Sequence, residues 1–435
     1  MGTLLKRAPW LLAAAALCGP ARAAEPSDRH QWHFEMDAGY VGASTPYGSW
    51  PEGGIGKLRY AEDEDGLNAA RIFASYHGRI TPAWSTTVVA DYVDDASSGL
   101  GVTEAFVDWR PIPKTGNQQQ VRIGAFYPPL SLENGDTAWQ SPFTYSYSAI
   151  NTWLGEEVRP FGAEWSLRRR LGFAGSPHEL RTFAAAFYGN DPAGTLVFWR
   201  GWSLHDRQTR LNDRLPMPPM PVWDSSGTIV GYTEQSVEPF DEIDHKPGYY
   251  AGVEWRYARR VLLQLARYDN RADPGAFADG QWAWQTAFTH VAAQVSLPGE
   301  FGLLAQWLRG DTYWIAGARP NGTLGWGASL VEDALEAKFL MLTRVVHGAH
   351  RFSLRYDTFG VDREDTASGF YSDEGRAWTF GYRYERSARL SGGVEWLRIE
   401  SARELWEDFY AVDEDATERQ IRVQVTLKLG IPALR

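Results

Sequence analysis

Arginines and carboxylates stand at every second position of several short alternating segments. Arg71, Glu104, Asp108, Arg122, Glu164 and Arg168 each lie opposite a run of apolar side chains. Arg267, Asp269, Glu336 and Lys338 are assigned to the same face by the same rule, charge inward and apolar outward. Between Arg122 and Glu164 the chain runs for about thirty residues with no helix or strand period, a length that marks a functional or disordered loop. Its aromatics, among them Tyr127, Trp139, Tyr147 and Trp153, argue against disorder. The stretch also carries Glu133, Asp136, Glu156, Glu157 and Arg159. Opposed charges across a wet lumen set a transverse field that orients permeating solutes. The competing reading is that the charges pair and stiffen a wall. Arg122 enters the stretch and Arg159 leaves it, both permanently charged forks suited to anions. The four acidic side chains of the loop oppose them. Small ions and hydrophilic solutes are expected to pass, with a modest preference for anions.

Other chemistry is poorly supported. Neither a GxSxG elbow nor an HExxH helix occurs, and Gly56-Lys57-Leu58 lacks the Ser or Thr of a phosphate loop. His77, His290 and Ser353 read as polar lining. Glu62-Asp63-Glu64-Asp65 does not match a calcium-hand spacing and reads as a solvated acidic turn. Asn321-Gly322-Thr323 reads as turn chemistry. We therefore expect no catalytic residue, cofactor or metal.

Strands of period two must position these charges. Trp32, Phe34, Met36, Ala38 and Tyr40 alternate with His33, Glu35, Asp37 and Gly39. Ile421, Val423, Val425, Leu427 and Leu429 alternate with Gln420, Arg422, Gln424, Thr426 and Lys428. One face suits lipid and the other water. Short turns such as 81–83, 258–260 and 298–300 alternate with longer polar connections at 271–281, 314–329, 360–374 and 401–417. Parity then places 190–248 in one large external loop, including the strand-like Thr195–His205, because an odd number of strands cannot lie between fixed neighbours. The count is sixteen strands, an all-β transmembrane antiparallel barrel with an inward-folded third loop. An even count lets the first and last strands pair and leaves no edge.

The compartment follows from the ends of the composition. Lys6 and Arg7 precede an apolar run to Leu17, and Ala21-Arg22-Ala23 suits cleavage, so 1–24 reads as a signal peptide and 25–435 as the barrel domain. Cys18, the single cysteine, leaves with the signal. Without Lys6, Arg7 and Arg22, 40 basic residues face 54 acidic ones, a net of −14 that argues against nucleic acid. Trp, Tyr and Phe number 20 each, as the aromatic girdles of a membrane barrel require. The expected home is a Gram-negative outer membrane, with lipid and lipopolysaccharide around the belt.

Arg122 through Pro128-Pro129 to Leu132-Glu133-Asn134, then Ser148-Ala149-Ile150-Asn151 and Gly155-Glu156-Glu157, resembles the third-loop region of the phosphate-selective porin family. Tyr268-Asp269-Asn270-Arg271 and Gln306–Thr312 resemble it too. The resemblance implies a sixteen-stranded diffusion channel, commonly a homotrimer. Only five lysines follow the signal segment, so the lysine clusters such porins use for phosphate are not matched. Two other readings compete. One is a barrel enzyme acting on lipids, which needs an outward Ser/His pair. The other is a surface-binding barrel working through 190–248, which a plugged lumen would favour.

Overall fold

The computed structural model describes residues 29–93, 99–113, 116–172, 175–219, 234–318, 324–363, 372–403 and 413–430. The expected signal segment and the Asn321 turn lie outside them. Sixteen antiparallel strands close into one barrel. They are β1 (His30–Ser44), β2 (Gly66–Arg79), β3 (Trp84–Val93), β4 (Gly99–Trp109), β5 (Asn117–Ala125) and β6 (Phe161–Arg170). Then follow β7 (His178–Tyr188), β8 (Gly248–Tyr257), β9 (Val261–Asp269), β10 (Gln285–Leu297) and β11 (Phe301–Ala318). The ring is completed by β12 (Leu324–Val346), β13 (His350–Arg363), β14 (Asp373–Ser387), β15 (Leu390–Arg403) and β16 (Asp415–Gly430). Phe34 stands opposite Leu429 where β1 meets β16, which leaves no open edge. The expected count, all-β class and closure hold. Thr195–Trp199 is a short helix, outside the ring as parity required.

Alternation explains the outer surface. Trp32, Phe34, Ile421, Val423 and Val425 are exposed, while Glu35, Asp37, Arg422 and Gln424 on the intervening positions are buried. Such an apolar belt on a closed ring makes the chain an integral barrel of the outer-membrane type. The strands outrun the membrane on the side of the long loops. β12 has 23 residues, against the ~10 a tilted membrane strand needs. Connections expected at 314–329 and 360–374 therefore shrink to 319–323 and 364–372.

The inner face departs from the expected rule. Phe183, Phe187, Tyr250, Tyr268, Phe288, Leu304, Leu308, Phe339 and Met341 on β7–β12 are buried there, in one cluster with Tyr127, Ile150, Trp153 and Leu154 of the β5–β6 connection. Arg267, Asp269, Glu336 and Lys338 accordingly face outward, above the apolar belt. Tyr268, Leu335 and Ala337 alternate with them and are fully buried, while Lys338 and Glu336 are about half exposed, at 56% and 45%. Charge-inward fails on these strands because their inner face meets protein, and their outer face beyond the belt meets water.

Candidate functional site

The β5–β6 connection contains one α-helix, α1 (Ala149–Glu157), which starts where Ser148 caps it by accepting from the Asn151 N–H at 3.3 Å. Glu133 locks that start. Fully buried, it accepts from the Ser148 N–H at 2.9 Å, from Asn151 Nδ2 at 2.8 Å and from the Arg355 guanidinium. Arg355 also donates to the Ser146 and Tyr147 carbonyls and to Asp357, each within 2.9 Å. Other strands hold the rest of the segment. Gln264 donates to the Pro129 carbonyl at 2.9 Å, Gln306 accepts from the Leu132 N–H at 2.9 Å, and Glu395 accepts from the Tyr145 N–H at 2.5 Å.

The β7–β8 connection packs against this segment. Its helix α2 (Thr195–Trp199) points its N-terminus at Glu157, which accepts from the Leu196 N–H at 3.0 Å, the Val197 N–H at 3.3 Å and Trp153 Nε1 at 2.6 Å. A carboxylate suits the positive end of a helix. Burial nonetheless pushes Glu157 up to about 7. Its neighbour Glu156 accepts from Arg200 and from His205 Nε2, the latter at 2.8 Å. Burial opposes ionisation there too, but Arg200 and His205 outweigh it and hold Glu156 at about 2. Asp206 joins Arg59 of the β1–β2 connection, at 3.0 Å, to Arg422 of β16, at 2.8 Å. Lys57 meets Asp373 at 2.8 Å, and burial lowers its pKa to about 7. Gly201 (φ 79°) is required beside that pair, because a Cβ would collide with the Asp373 carboxylate.

The charged residues expected around the channel each have a defined place. Arg122 pairs with Glu164 at 2.9 Å and covers the Phe126 ring at 4.2 Å. Arg71 pairs with Asp91 at 3.1 Å, and Arg168 with Glu179 at 3.3 Å. Glu104 accepts weakly from the Tyr127 N–H at 3.4 Å, and Asp108 accepts from Gln120 at 2.9 Å. Arg159 is buried and donates to the Tyr127 hydroxyl and the Gly155 and Thr209 carbonyls. Glu133, Glu156 and Glu157 are likewise engaged in buried bonds. Asp136 alone of the four loop acids reaches open space, 44% exposed and 3.8 Å from Lys428. His77, His290 and Ser353 bond three different partners, Thr87, Gln306 and Thr343, and form no common site.

A narrow cleft of about 10 Å³, room for about one water, remains beside the segment, lined by Glu35, Asp37, Asp136, Tyr145, Arg383 and Lys428 among others. Arg383 stands directly opposite Arg351 in the β13–β14 register. Arg383 donates to the Ser141 carbonyl at 2.7 Å, and Arg351 lies 5.2 Å from the Phe143 ring. Among the described residues neither guanidinium has a carboxylate within ion-pair distance. The sequence does not mark this pair, since register across two strands is invisible in one strand's pattern. Sequence reasoning also missed Lys57, Arg59, Arg200, His205 and Asp206. Charged residues interleaved with tryptophans in WRGWSLHDR were the available signal, because such a mixture needs buried partners.

No family model matches the chain, and no curated protein matches it. Solved structures do. The anion-selective porin from Comamonas acidovorans is similar at 12% identity and a TM-score of 0.50, over 92% of this chain and 99% of that one. The outer-membrane channel DcaP of Acinetobacter baumannii is similar at 12% identity and a TM-score of 0.50, over 92% and 96%. The likeness is one of fold, the sixteen-stranded porin barrel.

Proposed function

We propose that this chain is an outer-membrane porin for passive diffusion of small hydrophilic solutes and ions, narrowed by its own β5–β6 and β7–β8 loops. The β5–β6 loop lies in the lumen on this reading, since Gln264, Gln306, Arg355 and Glu395 reach it from strands around the ring. On the same reading the narrow cleft between that loop and the charged wall is the tightest point of the path. The observation that carries a modest anion preference is the facing pair Arg351 and Arg383 at the loop tip. Arg122 and Arg159 do not supply it: Arg122 is paired with Glu164, and Arg159 is 1% exposed and bonded on several sides. The phosphate-selective resemblance supports a channel of this build, without a lysine ladder for tight phosphate binding. Assembly as a homotrimer, with lipid and lipopolysaccharide on the belt, belongs to the same reading.

Planar-bilayer recording of the purified protein tests it. We expect discrete conductance steps and, in a potassium chloride gradient, a reversal potential on the anion side. Arg351→Gln with Arg383→Gln should move that potential toward the cation side. Silence in the bilayer would favour the surface-binding alternative, and strong cation selectivity of the native protein would remove the arginine argument.

A further inference from the structure

The two ends of the β7–β8 loop meet at a cluster of carboxylates. Asp191 lies three residues after β7, and Glu242 and Asp244 lie a few residues before β8. One oxygen from each falls within 4.8 Å of the others. Hydrogen bonds fix the geometry. Asp191 Oδ2 accepts from the Ile243 N–H at 2.5 Å and the Asp244 N–H at 3.1 Å, and Glu242 Oε2 accepts from the Gly189 N–H at 2.5 Å. Asp244 in turn accepts from the Asp273 N–H at 2.5 Å. That leaves Asp191 Oδ1 and Glu242 Oε1, both buried and both without a hydrogen-bond partner. The whole of Asp191 is only 1% exposed. Two orphaned carboxylate oxygens buried in one cluster are costly unless a cation meets them. Lys246 does not fill that role. It is half exposed, lies 3.6 Å from Asp244 and is bound more closely by Asp273, at 3.0 Å.

We propose that Asp191, Glu242 and Asp244 hold a calcium ion that fastens the two ends of the β7–β8 loop together. All three ligands are hard oxygens, which excludes a preference for soft metals. Calcium accepts irregular sets of six to eight oxygens, and carbonyls or water complete the shell. Magnesium demands near-octahedral geometry and gives up its water reluctantly, so it fits a loop-end site less well. Joining the base of a long loop removes much of the chain freedom that would otherwise oppose its docking. The site stands independently of whether the barrel conducts.

Calcium titration of the full-length protein, folded in detergent and stripped with a chelator, tests the proposal. Calorimetry should show one saturable site per chain, with a dissociation constant of about 10⁻⁴–10⁻³ M as in extracellular calcium modules. Calcium should also slow proteolysis within the β7–β8 loop. Asp191→Asn and Glu242→Gln keep an acceptor for the local N–H groups and remove charge, so each should weaken binding at least tenfold. Heat-modifiable migration shows that each variant has folded, and Glu242→Gln alone suffices if Asp191→Asn does not fold. Glu62→Gln in the exposed acidic turn should leave affinity unchanged. Absence of saturable binding to the folded native protein would overturn the proposal, as would equal affinity in folded Glu242→Gln.

Discussion

Strands β7–β12 meet the β5–β6 segment with Phe183, Tyr250, Phe288, Leu304 and Met341, whereas β13–β16 and β1–β3 present Arg355, Asp357, Glu395, Arg422, Asp37 and Arg71. One half of the inner wall holds its neighbours chiefly by dispersion and exclusion of water, with Gln264 and Gln306 adding hydrogen bonds. Trp153, for instance, meets the Phe288 ring edge-on at 5.3 Å. The other half holds the same segment by charge-assisted hydrogen bonds to its backbone, which fix position more tightly than area does. The difference teaches how one loop can be both packed and aimed. Its apolar side has lost access to water, and its polar side leaves a cleft along which charge remains exposed.

The largest expected effect comes from cutting the charged half. Arg355→Met strands Glu133 and Asp357 in a buried site, a change of about 3–5 kcal/mol against loop docking. Single-channel conductance should rise as the segment loosens, with the barrel itself still folded by gel mobility. Trp153→Ala removes a large buried ring from the apolar half at a cost also of about 3–5 kcal/mol. Should the tryptophan change leave conductance as it was while the arginine change raises it, the polar half alone sets the constriction.

Acid and base sharpen the comparison. Glu157 is raised from 4.5 to about 7 in the folded protein. The docked state therefore holds a proton that the free loop releases, and docking weakens as pH climbs from about 4.5 through about 7. Glu156, held at about 2, acts in the opposite sense, with a contribution present above about 4.5 and lost as pH falls toward 2. Protease protection of the loop should thus decline between about pH 5 and 7, and Glu157→Gln should flatten that decline. An unchanged decline in the variant would assign it to another group.

The smallest effect is expected outside the wall. Lys338→Met alters an outward side chain beyond the belt, so stability should move by no more than about 0.5 kcal/mol and the reversal potential not at all. A shifted potential would return Lys338 to the lumen, where a rule of charge inward had put it.

That rule worked where its premise held. From β1 to β6 and from β13 to β16 the alternation of Trp32 with His33, or of Val423 with Arg422, named the inner face correctly, since water or ion pairs lie within. On β9 and β12 it inverted, because Arg267 and Lys338 meet solvent outside while Tyr268 and Ala337 meet protein inside. On β7 both faces are apolar over Phe183–Tyr188, with Phe183 and Phe187 buried and Tyr188 exposed, so alternation of charge cannot mark the inner side there.

Chain order alone determined the sixteen strands, since a side-chain period of two and turn parity are local properties that survive without any contact. It also marked the long aromatic stretch after Arg122, because so many rings in one connection require burial. Tertiary structure decided the rest. Whether Glu133 meets Arg355, whether Asp206 meets Arg422, and whether Arg351 faces Arg383 depend on strands brought together over long chain distances. Register and loop docking choose those partners, and a single strand's pattern holds no record of what stands across from it.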